Sequence, residues 1–247
     1  MRKIDLGGSW TLEVLGKDFG PVPATVPGSV YHDLLTAGRI PDPFYRDNET
    51  EALKLMDNDF RYTRTFSVPE GFPDGDLVLL RCEGLDTLAT IDLNGIRAGA
   101  ADNMHRTWEY DVKALLREGE NEISVTFASP TRFIREANAA RFVEGSSDAM
   151  EGFPQIRKAH CMFGWDWGPR LPDCGIWRDI SLLGVDYARI RDVHLRQRHE
   201  GGRVVLSVNT HLTRLVEADL RLSVTVTAPD GDVLFATGEA AWHWPRG

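Results

Sequence analysis

Two indoles flank one carboxylate at Trp165-Asp166-Trp167, with Gly164 before them and Gly168-Pro169 after them. An indole is costly to leave in water and a carboxylate costly to bury, so a rigid display of the two in alternation suits a ligand with both an apolar face and hydroxyls. A sugar ring is such a ligand. The flanking glycines and proline interrupt a helix or an interior strand, so the segment is expected to be a loop with a displayed face. The same residues fit a second arrangement, in which the tryptophans plug a core and Asp166 caps the turn through backbone amides. Nothing would then be displayed.

Other chemistry is thinly represented. Cys82, Cys161 and Cys174 are odd in number and not spaced as Cys-x-x-Cys, so neither a disulfide framework nor a zinc site is indicated. His160-Cys161 lacks the second ligand pair that a metal needs, and no metal or cofactor is expected. The net charge of −9 argues against nucleic acid and anionic membrane as partners, because both require a clustered basic surface. Apolar residues at 42% and charged residues at 26% are ordinary for a globular protein, and no run approaches the roughly 20 apolar residues of a membrane helix. The opening Met1-Arg2-Lys3-Ile4-Asp5-Leu6-Gly7-Gly8 has no apolar stretch of the signal-peptide kind, so a cytoplasmic location is expected. Without secretion, the glycosylation pattern at Asn48-Glu49-Thr50 is read as chance.

The elements that must position the Trp-Asp-Trp segment are mostly strands, since short alternating runs separated by turn residues dominate the chain. Phe60, Tyr62, Phe66 and Val68 fall on one face of a run ended by Pro69, and Arg64 breaks that face in the manner of a residue reaching for an edge. Residues 88–93 run into Asn94-Gly95 and resume at Ile96, the signature of a two-residue hairpin. Ile123, Val125 and Phe127 alternate, as do Leu220, Leu222, Val224 and Val226. Helical signals are confined to a short segment after Ser29, expected as its cap, and to Thr131–Phe142. From 142 to 173 the sequence is irregular and punctuated by Gly and Pro, and its tryptophans argue for an ordered, functional connection. A boundary is expected near Gly184-Val185-Asp186, with 1–184 one sandwich and 185–247 a second, short of the roughly 100 residues of an immunoglobulin-like domain.

Several motifs together carry a resemblance. The loop with its lead-in Ile156-Arg157-Lys158-Ala159-His160-Cys161-Met162-Phe163, then Gly175-Ile176-Trp177-Arg178, resembles the β-mannosidases of glycoside hydrolase family 2. So do residues 26–34, 40–49 and 86–95, which look like that family's amino-terminal domain, and Trp242–Gly247 resembles the end of its second domain. The resemblance implies an all-β chain: a jelly-roll, galactose-binding-like β-sandwich followed by a partial, truncated immunoglobulin-like one. It implies recognition of terminal, non-reducing β-D-mannose, with Asp166 accepting hydrogen bonds from its hydroxyls and Trp165 and Trp167 as walls. Retaining hydrolysis needs two carboxylates roughly 5 Å apart on barrel strands. No (β/α)8 barrel of about 250 residues fits here, so the partner implied is a catalytic domain outside this chain, and no catalytic residue is expected within it. Asn48-Glu49 and Asn121-Glu122 copy the family's acid/base pair only superficially, the first in a polar loop and the second opening a strand. Arg157 and Lys158 are expected as loop braces. A related family-2 exo-glycosidase and a free-standing carbohydrate-binding module are the alternatives. Self-association is expected through the unfinished second sandwich, with Trp242 and Trp244 exposed or covered.

Overall fold

A computed structural model of the chain describes residues 1–18, 20–236 and 240–241. The chain divides into two compact units, Met1–Val185 and Asp186–Gly247. The first is an antiparallel β-sandwich. Its six-stranded sheet runs in the order Val22–Val26, Gly8–Val14, Phe60–Val68, Gly119–Phe127, Ala89–Leu93 and Ile96–Ala101. Its four-stranded sheet runs Arg2–Asp5, Ile180–Val185, Leu77–Cys82 and Trp108–Asp111, so the first strand of the unit pairs with its last.

Period-2 patterning explains which side chains meet between the sheets. Phe60, Tyr62, Phe66 and Val68 are all buried, as are Ile123, Val125 and Phe127 on the neighbouring strand, and Tyr62 packs edge-on against Phe127 at 5.9 Å. Arg64 interrupts this face for a local reason. Its guanidinium donates to the carbonyls of Leu6 and Gly7, satisfying backbone oxygens where the chain enters its second strand. Asn94 and Gly95 both take positive φ, 53° and 78°, as a two-residue hairpin with the native twist requires.

Helix α1 (Val30–Thr36) begins after Ser29, but Ser29 does not cap it. The cap comes from far along the chain: Asp173 accepts the backbone N–H of Tyr31 at 3.1 Å. Helix α2 covers Asn48–Leu55. Helix α3 covers Pro130–Ala140, where Ser129 accepts the N–H of Arg132 at 3.0 Å and Pro130 occupies a position whose missing N–H costs nothing. It ends before Phe142, which is exposed. Under α3 lies a second small core of Ile134, Ala149, Phe153, Ile156 and Phe163, contributed largely by the irregular 142–173 segment.

The second unit is built on one long hairpin, Ala188–Glu200 with Arg203–Arg214, turned by Gly201-Gly202. One face of that hairpin carries Ile190, Val193, Leu195, Val204 and Leu206, all exposed. The apolar alternation from Leu220 to Val226 does not form one strand. It is split into Arg221–Leu222 and Thr225–Thr227, which pair with different partners. Alternation reports which faces are apolar, whereas strand continuity depends on a neighbour to complete the ladder. Trp242 to Gly247 lie outside the described residues.

Candidate functional site

Trp165-Asp166-Trp167 forms the end of a small β-hairpin. Phe163–Trp165 pairs with Gly168–Arg170 in the register Phe163↔Arg170 and Trp165↔Gly168, so Asp166 and Trp167 are the two turn residues. Gly164 makes this possible. Its φ is +97°, and a Cβ there would sit 2.7 Å from Cγ of Arg170, whose side chain crosses over it. The root is buried through Phe163 in the small core, and the tip is in solvent.

The tip decides between the two arrangements open to the sequence. Trp165 is 46% exposed and Trp167 80%, so neither plugs a core. Their rings stand 5.6 Å apart at 57° to one another. Asp166 is exposed and makes no hydrogen bond or ion pair with any described residue, so it does not cap its own turn. With Cys161 and Gly168, the two indoles line an open cleft of about 300 Å³, at the small end of ligand-binding pockets. Two apolar walls and a free carboxylate beside them can hold a ligand bearing a ring and hydroxyls.

Contacts from outside its two strands hold this hairpin. Met150 donates its backbone N–H to Phe163 O at 2.9 Å, and Leu171 donates to Met162 O at 2.9 Å. On the outer edge, the N–H of Arg170 donates to Oε1 of Glu49 in α2 at 2.9 Å. Glu49 is therefore a brace rather than an acid/base. The neck of the loop is closed by Lys158, whose ammonium is fully buried, pairs with the carboxylate of Asp86 and donates to Asp173 O at 2.5 Å. Lys158 is thus a brace, whereas Arg157 is exposed.

Asp173 completes the neck. Its Oδ1 accepts from the N–H groups of Tyr31 and Cys174. Burial pushes this carboxyl up to about 6, against the opposing pull of hydrogen bonds from Ser29, Tyr31 and Cys174 and of the nearby Lys158 charge. Burial likewise raises Asp33, although Thr25 N–H and Tyr62 O–H both donate to it. Burial drives the Cys174 thiol far above its ordinary range, so it is an inert core residue.

Asn121 is fully buried and spends its amide on Asn94, Arg117 and Gly119, while Glu122 is exposed beside it. That pair is a turn support. Nothing in sequence spacing could have joined Glu49, Asp86, Lys158 and Asp173, because 72 residues separate the two ends of the ion pair and 121 separate Glu49 from Arg170.

Residues 10–178 match the family described as glycosyl hydrolase 2 galactose-binding domain-like. The chain belongs to that family. A β-mannosidase of Mus musculus is 31% identical over 195 residues, covering 75% of this chain and 22% of the relative. β-Mannosidase B of Emericella nidulans is 32% identical over 245 residues, covering 90% of this chain and 29% of the relative. Among solved structures, the β-D-mannosidase from Dictyoglomus thermophilum superposes with a TM-score of 0.89 at 33% identity, covering 98% of this chain and 30% of that one. The chain thus spans between about a fifth and a third of the length of the relatives it matches. The family match covers the sandwich apart from its first strand, its last strand and the start of its second, and the whole of the Trp-Asp-Trp hairpin.

Proposed function

We propose that this chain is the amino-terminal, sugar-recognising part of a retaining exo-β-mannosidase that removes terminal non-reducing β-D-mannose from oligosaccharides. The observation that carries the reading is the hairpin tip: a carboxylate with no partner among the described residues, between two exposed indoles, on a rigidly braced root. Asp166 accepts hydrogen bonds from hydroxyls of the terminal mannose, and Trp165 and Trp167 wall the ring. The carboxylates that break the glycosidic bond belong to a barrel outside this chain, against which the hairpin is presented. The second unit is read as part of an immunoglobulin-like sandwich linking the two, and its exposed apolar face is the surface through which isolated copies associate.

A charge-assisted hydrogen bond contributes about 1.5–3 kcal/mol, and only the part that strengthens in the transition state raises turnover. In the enzyme that contains this chain, Asp166→Asn is expected to lower kcat/KM for an aryl β-mannoside by about 10- to 100-fold with the melting temperature unchanged. The amide keeps the shape and removes the charge. Near-normal kinetics in a folded Asn variant would refute the substrate role. The chain by itself is expected to show no β-mannosidase turnover, and heat-labile activity lost on changing one of its own residues would overturn that assignment.

A further inference from the structure

Beside the indole cleft lies a second one that the mannose reading leaves unused. It is a surface cleft of about 550 Å³ between the 103–105 turn and the 154–160 segment. The chain passes directly from one to the other: His160 lines this cleft and Cys161, the next residue, lines the indole cleft. These two lining residues are therefore one Cα–Cα step of about 3.8 Å apart.

The chemistry of this cleft follows from how its backbone is held. Ile156 is buried in the small core and Lys158 is buried on Asp86, so the residue between them is turned outward. That residue is Arg157. Its strand position is fixed by a bridge to Asn103 and by the N–H of Met104 donating to Arg157 O at 3.0 Å. On the opposite wall, the His105 backbone is locked by Asn103 Oδ1 at 2.8 Å. On the near side, the ring of His160 is set edge-on against Phe153 at 4.9 Å.

The walls are therefore rigid, but their polar ends are free. The Arg157 guanidinium and the ring nitrogens of His105 and His160 have no hydrogen-bond or ion-pair partner among the described residues. In a chain of net charge −9, several arginines meet carboxylates, as Arg61, Arg81, Arg97, Arg132 and Arg135 do, whereas Arg157 meets none among the described residues. An unpaired guanidinium flanked by two imidazoles and the Asn103 amide is a set of planar donors suited to a tetrahedral or planar anion.

We propose that this cleft is an anion subsite that takes a phosphate, sulfate or carboxylate substituent of a glycan whose neighbouring ring lies on the Trp165 and Trp167 wall. That the ligand is a glycan rests on the mannose reading above; that it is anionic rests on the cleft alone. The hairpin carboxylate sorts the two ends of the ligand, since Asp166 repels an anion and Arg157 attracts one.

The test titrates the 247-residue chain at low ionic strength with mannose, inorganic phosphate and mannose 6-phosphate, following the Arg157 Nε–H, His105, His160 and Trp indole resonances. Phosphate is expected to move the Arg157, His105 and His160 signals only. Mannose 6-phosphate is expected to move these and the Trp165 and Trp167 indoles, and to bind at least about tenfold more tightly than either part alone. Arg157→Gln is expected to weaken mannose 6-phosphate by about tenfold or more while leaving the fold intact. Mannose 6-phosphate no tighter than mannose, or binding indifferent to Arg157→Gln, would overturn the proposal, as would capture only of acidic peptide with no response to the sugar phosphate. The mannose reading is judged separately, because Asp166→Asn acts on it and leaves phosphate binding to the Arg157 cleft unchanged.

Discussion

Two hairpins of the sandwich have two-residue turns and opposite habits. The turn at Asn94-Gly95 spends its polar groups on the chain beside it: Asn94 donates to Leu115 O at 2.8 Å and to Asn121 Oδ1 at 2.8 Å, and its own Oδ1 accepts the N–H of Glu122 at 3.0 Å. The turn at Asp166-Trp167 satisfies nothing at its tip and is held entirely from its root, by Glu49, Met150 and the Lys158 neck. A turn that only reverses the chain spends its polar groups on the chain. A turn that presents a surface keeps them free, and its order must be supplied by distant residues.

The sharpest break in that comparison is at the neck. Lys158→Met leaves the Asp86 carboxylate buried without its cation, and removal of one partner of a buried pair costs about 3–5 kcal/mol. Urea unfolding of the first unit is expected to show a loss of that size, whereas an unchanged midpoint would mean that Asp86 finds another partner.

Asp173 offers a pH handle on the same neck. The native carboxyl takes up its proton near pH 6, while the unfolded chain does so only near 3.8, so the native state gains stability as pH falls through about 6 toward 4. The shift of about 2 units corresponds to at most about 3 kcal/mol from this group. Asp173→Asn is expected to be the more stable protein relative to wild type at pH 7, with the advantage vanishing near pH 4. Parallel pH profiles for the two proteins would rule this out.

The turn at Asn94-Gly95 should be the more costly of the two to truncate. Asn94→Ala removes three hydrogen bonds and one positive-φ residue well suited to its place, with an expected loss of about 1–3 kcal/mol in chemical denaturation. Asp166→Ala should lie within about 0.5 kcal/mol of wild type, because the exposed carboxylate has no hydrogen-bond or ion-pair partner among the described residues. Equal losses at the two positions would erase the distinction.

A small effect is also expected at Glu49. Glu49→Ala removes one acceptor from a partly exposed edge, so stability should change by about 1 kcal/mol or less. Exchange of the Arg170 amide with solvent should nevertheless accelerate, and Glu49→Gln, which keeps an acceptor, should restore protection.

Much of this arrangement is legible along the chain, because period-2 burial on Phe60–Val68 and Gly119–Phe127 and the Asn94-Gly95 turn are set by neighbours a few residues away. Gly164 and Gly168-Pro169 read as a loop, whereas the structure places them in the two short strands of a hairpin, and the choice between display and burial is not written in them. Tertiary contacts made that choice. Ser29 has the chemistry of a cap, yet Asp173 caps α1, because a carboxylate 142 residues away in sequence is brought to the same N–H. Lys158 reads as a loop brace, but its partner Asp86 is named only by the fold, and the burial of Ile156 and Lys158 on either side leaves Arg157 outward. Sequence determines local periodicity, turn geometry and the inventory of groups, since these depend on steric and hydrogen-bonding preferences within a few residues. Which charges are paired and buried, and which are left free at a tip or in a cleft, depends on desolvation and on contacts between strands and loops far apart in the chain, and those exist only once the sandwich has closed.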